Sequence, residues 1–444
     1  MKRSLAYAAA GLATVGMVLG ACSPGSKDDT SNNNASGGSQ TTVTFRLWDE
    51  TAVPAYKESF AEFEKAHPDI HVEIQQVPWG DYWTQLPLDI SSGDMADIFW
   101  VNSSNFALYA DNGNLINITE ELGTDHDEWQ QSVVDLYTRN KSLWGVPQIW
   151  DSIALFYNVD KVNAAGVDVN NLTWQVGAGS GDTLLEAAKK LTIDANGNNA
   201  TSPQFDANSI KTYGFNAQAD MQAIYLPFLF ENGGQFQDDS DKFTFASPAG
   251  VQSFEYLVSL INTYHVAPPA AETNTNGDVT RDMFIRGDLA LFQSGPYSLK
   301  TIAENTKTKW ALAPMVAGPK GRHSTTHGVV AVGNAQTKNH DATVEVLKWL
   351  GSVEGQAPLG KMGISFPGAV GAQDYFVNYW AKQGVDVKVF IDAANGGNAV
   401  SPHGPDVNAG TQAYTKRLLD VFLGSVPVAQ GLSEAQDLGN AAMK

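Results

Sequence analysis

From Thr42 onward the chain switches between two periodicities. Val43, Phe45 and Leu47 are apolar while Thr42, Thr44 and Arg46 are polar, the two-residue repeat of a strand with one buried face. Pro54 to Lys65 instead puts Tyr56, Phe60 and Phe63 on one side of a helix, and His67-Pro68 stops it. Ile70, Val72 and Ile74 return to strand spacing, and a second helix is predicted over Gly80–Ser92, kinked at Pro87. Ile98–Val101 is an unbroken apolar run, the mark of a strand covered on both faces. Ile153–Tyr157 and Leu289–Phe292 read as further strands. Ser247-Pro248 opens a long helix that turns Phe254, Leu257, Val258 and Ile261 one way. Alternating βα units predict an α/β protein with mostly parallel sheets flanked by helices. About 400 residues exceed one ordinary core, so two domains are expected.

The first 41 residues follow another pattern. Lys2 and Arg3 precede a charge-free apolar stretch, Leu5–Leu19, that is too short to span a bilayer and has the form of a secretory signal over residues 1–21. It ends Leu19-Gly20-Ala21-Cys22, a lipobox, with Cys22 as the lipid attachment point and the chain's one cysteine. A diacylated cysteine gives stable anchoring where one chain would be marginal. Residues 22–41 are small and polar, a tether that cannot bury enough surface to order itself. The implied location is the cell membrane, lipid-anchored, outside the cytoplasm. A net charge of −20 argues against nucleic acid and anionic lipid surfaces as partners.

In open α/β sheets, ligands sit beyond the carboxyl ends of the strands. The residues there are Trp48, Asp49 and Glu50 after the first strand, and Asn102 with Asn105 after Trp100. Trp150 and Asp151 stand before Ile153, and Tyr297 follows Ser294-Gly295-Pro296. The loop Val77–Trp83 adds Trp79, Tyr82 and Trp83 beside Asp81. Flat rings beside carboxylates and amides suit carbohydrate. The C–H face of a pyranose buries on an aromatic ring, and its hydroxyls both donate to and accept from such polar groups. The number of rings points to an oligosaccharide. Asp97 joins the candidates, although an acid opening a strand commonly fixes a turn. Trp129, Trp174, Trp310, Trp349 and Trp380 read as structural.

Other chemistries find less support. A glycoside hydrolase needs two carboxylates about 5 or 6.5–9.5 Å apart, and Asp49, Glu50, Asp97 or Asp151 could supply them. G-x-S-x-G, HExxH and Cys/His metal spacings are missing from the sequence. Asp194–Asn199 resembles the start of a calcium loop, yet Asn199 stands where glycine is required and Phe205 where glutamate is, so a turn is expected. No catalytic residue, metal or cofactor is assigned.

Three stretches in order carry a family resemblance. Ala96–Val101 (ADIFWV), Leu143–Pro147 (LWGVP) running on to Leu155–Asn158 (LFYN), and Phe284–Tyr297 (FIRGDLALFQSGPY) are similar to the extracellular solute-binding proteins of carbohydrate importers, the group that includes maltose-binding protein. Tyr297 stands where that family commonly has Trp. The resemblance implies a two-lobed periplasmic-binding-protein-like fold of class II type, each lobe a mostly parallel sheet flanked by helices, joined by a hinge. Lobe 1 would hold 42–149 and 327–367, and lobe 2 150–326 and 368–444. The crossings would fall near Pro147–Ile153, Thr325–Gly328 and Phe366–Gly371, which brings His327 and Phe366 into the candidate site. It further implies a monomer that closes over an oligosaccharide and delivers it to the permease subunits of an ABC transporter, without chemistry of its own. The same fold binding a non-sugar solute stays open as the alternative.

Overall fold

A computed structural model describes residues 40–177, 181–404 and 406–443; the signal-like segment, Cys22 and the tether as far as Ser39 lie outside them. Two sheets organise the described residues. In chain order their strands are β1 (Thr41–Leu47), β2 (Ile70–Gln76), β3 (Ile98–Asn102), β4 (Val146–Asp151), β5 (Ala154–Asn158), β6 (Ile193–Asp194), β7 (Ile210–Phe215), β8 (Leu289–Ser294), β9 (Trp310–Pro314), β10 (His327–Gly333) and β11 (Phe366–Pro367). One sheet runs β11-β4-β10-β3-β1-β2 and the other β9-β5-β8-β7-β6.

Local patterning became burial. Val43, Phe45 and Leu47 of β1 are buried, and the helix Val53–Ala66 lays Tyr56 and Phe60 on Phe45 at ring separations of 4.8 and 5.3 Å. All five residues of β3 are buried, as its apolar run requires. The helix Trp79–Ser92 carries Pro87 in its interior and ends on Gly93 at φ +80°, a left-handed cap that favours glycine. Among the described residues no helix is long and apolar enough to cross a membrane.

The expectation of mostly parallel sheets is corrected. β1 pairs in parallel with β2 and β3, but β10 is antiparallel to both β3 and β4, and β11 to β4. In the second sheet only β7 and β8 run parallel. The reason is how the chain travels. β4 ends at Asp151 and passes through Ser152-Ile153 directly into β5 of the other sheet. Such a strand has no crossover helix behind it, so nothing imposes a parallel neighbour.

The passages between the sheets lie together. Ile153 donates its N–H to Ser324 Oγ (2.9 Å), and the Ser152 hydroxyl donates to the Phe390 carbonyl (2.6 Å). His323–Ser324 pairs in parallel with Gly397–Asn398. Beyond Phe366 the chain stays beside the first sheet through the helix Gln373–Lys382, and the helix Lys388–Ala394 packs on β5 and β9 of the second. Phe366 is wedged between Trp150 and Phe376, at 4.7 and 4.3 Å, and the helix Gln373–Lys382 packs on the helix Val353–Lys361. Residues just beyond Phe366 are thus held against the first sheet by aromatic packing.

In β7, Gly214 passes so close to the helix Thr183–Leu191 that an added Cβ would stand 2.2 Å from the Ala188 carbonyl oxygen. Backbone offers no side-chain rotation to relieve such a clash. Gly214→Ala is expected to lower stability by about 1–3 kcal/mol, read as a fall in urea midpoint with the m-value unchanged.

Candidate functional site

The end of β1 delivers Trp48 into a nest of rings. Its ring lies 5.3 Å from Trp79, 5.2 Å from Tyr82, 5.3 Å from Trp83 and 5.0 Å from Trp100, mostly edge to face. Three of these come from the first turn of the helix Trp79–Ser92, whose Pro78 entry aims Trp79, Tyr82 and Trp83 back over the strand end. Tyr82 is buried and donates its hydroxyl to the Trp100 carbonyl at 2.7 Å, forming the floor. Trp79 is 53 % exposed and forms the outer surface. The buried Trp83 Nε1–H has no acceptor among the described residues, which leaves an indole donor inside the nest. Asp49 caps the short turn Glu50–Ala52, with Oδ1 accepting from the N–H and hydroxyl of Thr51 at 2.9 and 2.7 Å. Glu50 is exposed.

A polar floor continues from β3 to the passages. Asn102 accepts through Oδ1 from the Asn105 amide (2.7 Å), and Asn105 accepts in turn from Asn408 Nδ2 (3.1 Å) on the helix Val407–Leu423. Ser103 Oγ and His327 Nε2 are 3.1 Å apart. His327 faces Asp151 in the β10–β4 register. Burial pushes the His327 imidazole down to about 4, so it is neutral at physiological pH, and pushes the Asp151 carboxyl up to about 8.

The opposite wall comes from the second sheet's side. Asp220 follows β7 and caps a π-turn, Met221–Tyr225, through the Ala223 N–H (2.9 Å). That turn presents Gln222, whose Nε2 donates to Asp151 Oδ1 at 2.5 Å. Tyr297 sits on a 3-10 turn after β8, 45 % exposed, its ring lying over Gly295, where a Cβ would come within 2.2 Å of it. Burial raises the Asp220 carboxyl and, first among its causes, the Tyr297 hydroxyl, which also feels the charges of Asp220 and Asp151.

Trp48, Trp79, Tyr82 and Trp83 thus form one group, and Asn102, Asp151, His327 and Tyr297 a second. Trp150 and Phe366 do not present a surface. They stack at 4.7 Å, wholly buried, because β11 pairs beside β4 and seals that face. Asp97 is also elsewhere. It accepts from the Thr44 N–H and hydroxyl, both at 2.8 Å, and from the Thr337 hydroxyl, tying the start of β3 to mid-β1 and to the segment after β10. Asp97→Ala is expected to cost about 1–3 kcal/mol of stability while ligand affinity stays within twofold, as calorimetry and thermal melts would show. The Asp194 carboxylate accepts from the N–H groups of Asn196, Asn198 and Asp206 at 2.8–2.9 Å, which makes that run a turn. Among the described residues no group of three or more His, Cys, Asp or Glu is placed to hold a metal.

Sequence reasoning missed Asp220, Gln222, Ser103 and Asn408. Asp220 carried a signal, a capping acid before the apolar run Ile224–Phe230. Asn408 carried none, since its partner stands 303 residues away.

Two α/β sheets joined by short crossings, with rings, amides and carboxyls converging between them, describe a two-lobed binding protein. The family model described as bacterial extracellular solute-binding protein matches residues 48–357, and the chain belongs to that family. Among solved structures, Mycobacterium tuberculosis UspC is 44 % identical, covering 90 % of this chain and all of its own, with a TM-score of 0.77. The Listeria monocytogenes ABC substrate-binding protein Lmo0181, solved with cycloalternan, shares the fold at 21 % identity and a TM-score of 0.78, covering 91 % of this chain and 99 % of that one. The arabinooligosaccharide-binding protein of Bacillus subtilis is 22 % identical over 334 residues, 72 % of this chain and 71 % of its own length.

Proposed function

We propose that this chain binds an oligosaccharide outside the cytoplasm and hands it to the permease of an ABC transporter, catalysing nothing. The observation that carries the reading is the ring nest around Trp48 facing a floor of amide and carboxyl groups. Each ring face of roughly 50 Å² contributes on the order of 1 kcal/mol by burial, and micromolar binding needs about 8 kcal/mol net. Several platforms must therefore act together, and Trp48, Trp79 and Trp83 are so grouped. The names of relatives agree, since one is an arabinooligosaccharide-binding protein and another was solved with cycloalternan.

Within this reading Asp49, Asn102, Asp151 and His327 answer sugar hydroxyls, and Cys22 carries the lipid that holds a monomeric protein at the membrane. Lobe 1 comprises 42–149 and 327–367, with the helix Gln373–Lys382 packed against it, and lobe 2 takes 150–326 and the rest of 368–444. The Asn408–Asn105 hydrogen bond (3.1 Å) supports closure of one lobe on the other.

Tryptophan fluorescence and calorimetry with a panel of plant, milk and storage oligosaccharides test the proposal. A saturable micromolar response to one linkage class, with the sugar recovered intact, is expected. Silence to every saccharide alongside a response to peptides or ions would overturn the sugar assignment, and hydrolysed sugar would overturn the absence of chemistry.

A further inference from the structure

Gln222 is placed by an irregularity. A π-turn inserts an extra residue into a helical path and is frequent at functional sites. Here Met221–Tyr225 takes that form immediately before the regular helix Leu226–Glu231, with Asp220 fastening its start. The insertion turns Gln222 out of the helix face that packs inward, where Ala223, Ile224 and Tyr225 are buried. Its amide then reaches Asp151, at the end of β4 and beside the first passage, at 2.5 Å. This contact joins the π-turn, which belongs to the second sheet's side, to a strand of the first sheet.

Asp151 is an unusual carboxyl to leave in such a place. His327 stands opposite it in register, the Tyr137 hydroxyl feels its charge from the helix-end segment below, and Asp220 and Tyr297 face it from the other wall. Burial disfavours its ionised form, and burial also keeps His327 neutral. The Gln222 amide is the donor that works the other way, favouring the carboxylate. It also takes up Oδ1, so that Oδ2 is the oxygen left to meet a ligand.

We propose that Gln222 is the positioning residue that sets the orientation and protonation state in which Asp151 meets a saccharide hydroxyl. The inference rests on the oligosaccharide reading and gives it a consequence. An ionised carboxylate accepts a hydrogen bond roughly twice as strong as a neutral group does. Affinity therefore rises with pH as Asp151 ionises, and the side chain at 222 decides where that rise falls.

The test compares wild type, Gln222→Leu and Gln222→Lys in the purified chain, measuring Kd for the best panel oligosaccharide from pH 5.5 to 9.5. Carbon-13 carboxyl titrations of the same proteins without sugar run alongside, with Asp151 assigned by its loss in Asp151→Asn. Leucine removes the donor and moves both midpoints to higher pH. Lysine supplies a cation and moves them to lower pH. At pH 8.5 the leucine variant binds about fivefold more weakly than wild type, and the two converge below pH 6. Midpoints that coincide in all three proteins, or an equal loss of affinity at every pH, would overturn the proposal. A wild type that binds no saccharide would overturn the oligosaccharide reading instead, and the carboxyl titrations would still decide what Gln222 does to Asp151.

Discussion

Replacing Trp48 with alanine is expected to weaken oligosaccharide binding by about 30- to 100-fold, or roughly 2–3 kcal/mol. The size follows from position. Trp79 contributes one outward face, so Trp79→Ala should cost about fivefold, close to the 1 kcal/mol of a single ring face. Trp48 contributes its own face and touches Trp79, Tyr82, Trp83 and Trp100 within 5.3 Å. Without it Trp79 loses an edge-to-face contact and Trp83 a tilted one, each worth about 0.5–1.5 kcal/mol. Calorimetry on both variants checks the ratio as well as the magnitudes. A Trp48→Ala protein with a Kd within twofold of wild type would mean that ligand binds elsewhere.

The second large effect concerns stability against pH. Burial holds the Asp151 carboxyl at about 8, far above its ordinary value near 4. Between those pH values the folded protein binds a proton that the unfolded chain has released, so stability falls as pH rises through the window. The contribution is complete below about pH 4 and gone above about pH 8. His327 acts in the opposite sense. Its folded value near 4 lies below its unfolded one, so it removes stability as pH falls from about 6.5 to 4 and is silent above. Between pH 6.5 and 8 a decline is therefore expected from Asp151. Asp151→Asn keeps an acceptor for Gln222 and abolishes the ionisation. It should be more stable than wild type at pH 9 by several kcal/mol, on the order of 4, and equal to it near pH 4. Urea midpoints at the two pH values measure this directly. A stability gap independent of pH would show that Asp151 ionises freely in the folded protein.

Much of the architecture could be read before any coordinates. The strands at Val43–Leu47, Ile70–Ile74, Ile98–Val101 and Leu289–Phe292, and the helices behind Pro54 and Pro248, lie where period and capping residues put them. The ring nest was legible too, because Trp48 follows a strand and Trp79, Tyr82 and Trp83 open a helix, and both positions follow from local pattern. What the pattern misjudged depended on partners far away in the chain. Trp150 has the same local look as Trp48, an indole at a strand end, yet β11 pairs beside it from more than 200 residues downstream and covers it. Asp97 also looks like a ligand, until Thr44 and Thr337 arrive to consume its oxygens.

The sequence by itself determined the class of element at each position, the two-sheet α/β architecture and the aromatic bias of the strand ends. Side-chain alternation and capping act over a few residues, and every such interaction is written in neighbouring letters. The tertiary structure alone decided strand direction and the joining of Gln222 to Asp151 and of Asn408 to Asn105. Each of these is a contact between segments 70 to 300 residues apart. Which segments meet depends on how the whole chain buries its apolar faces, and no local periodicity records it.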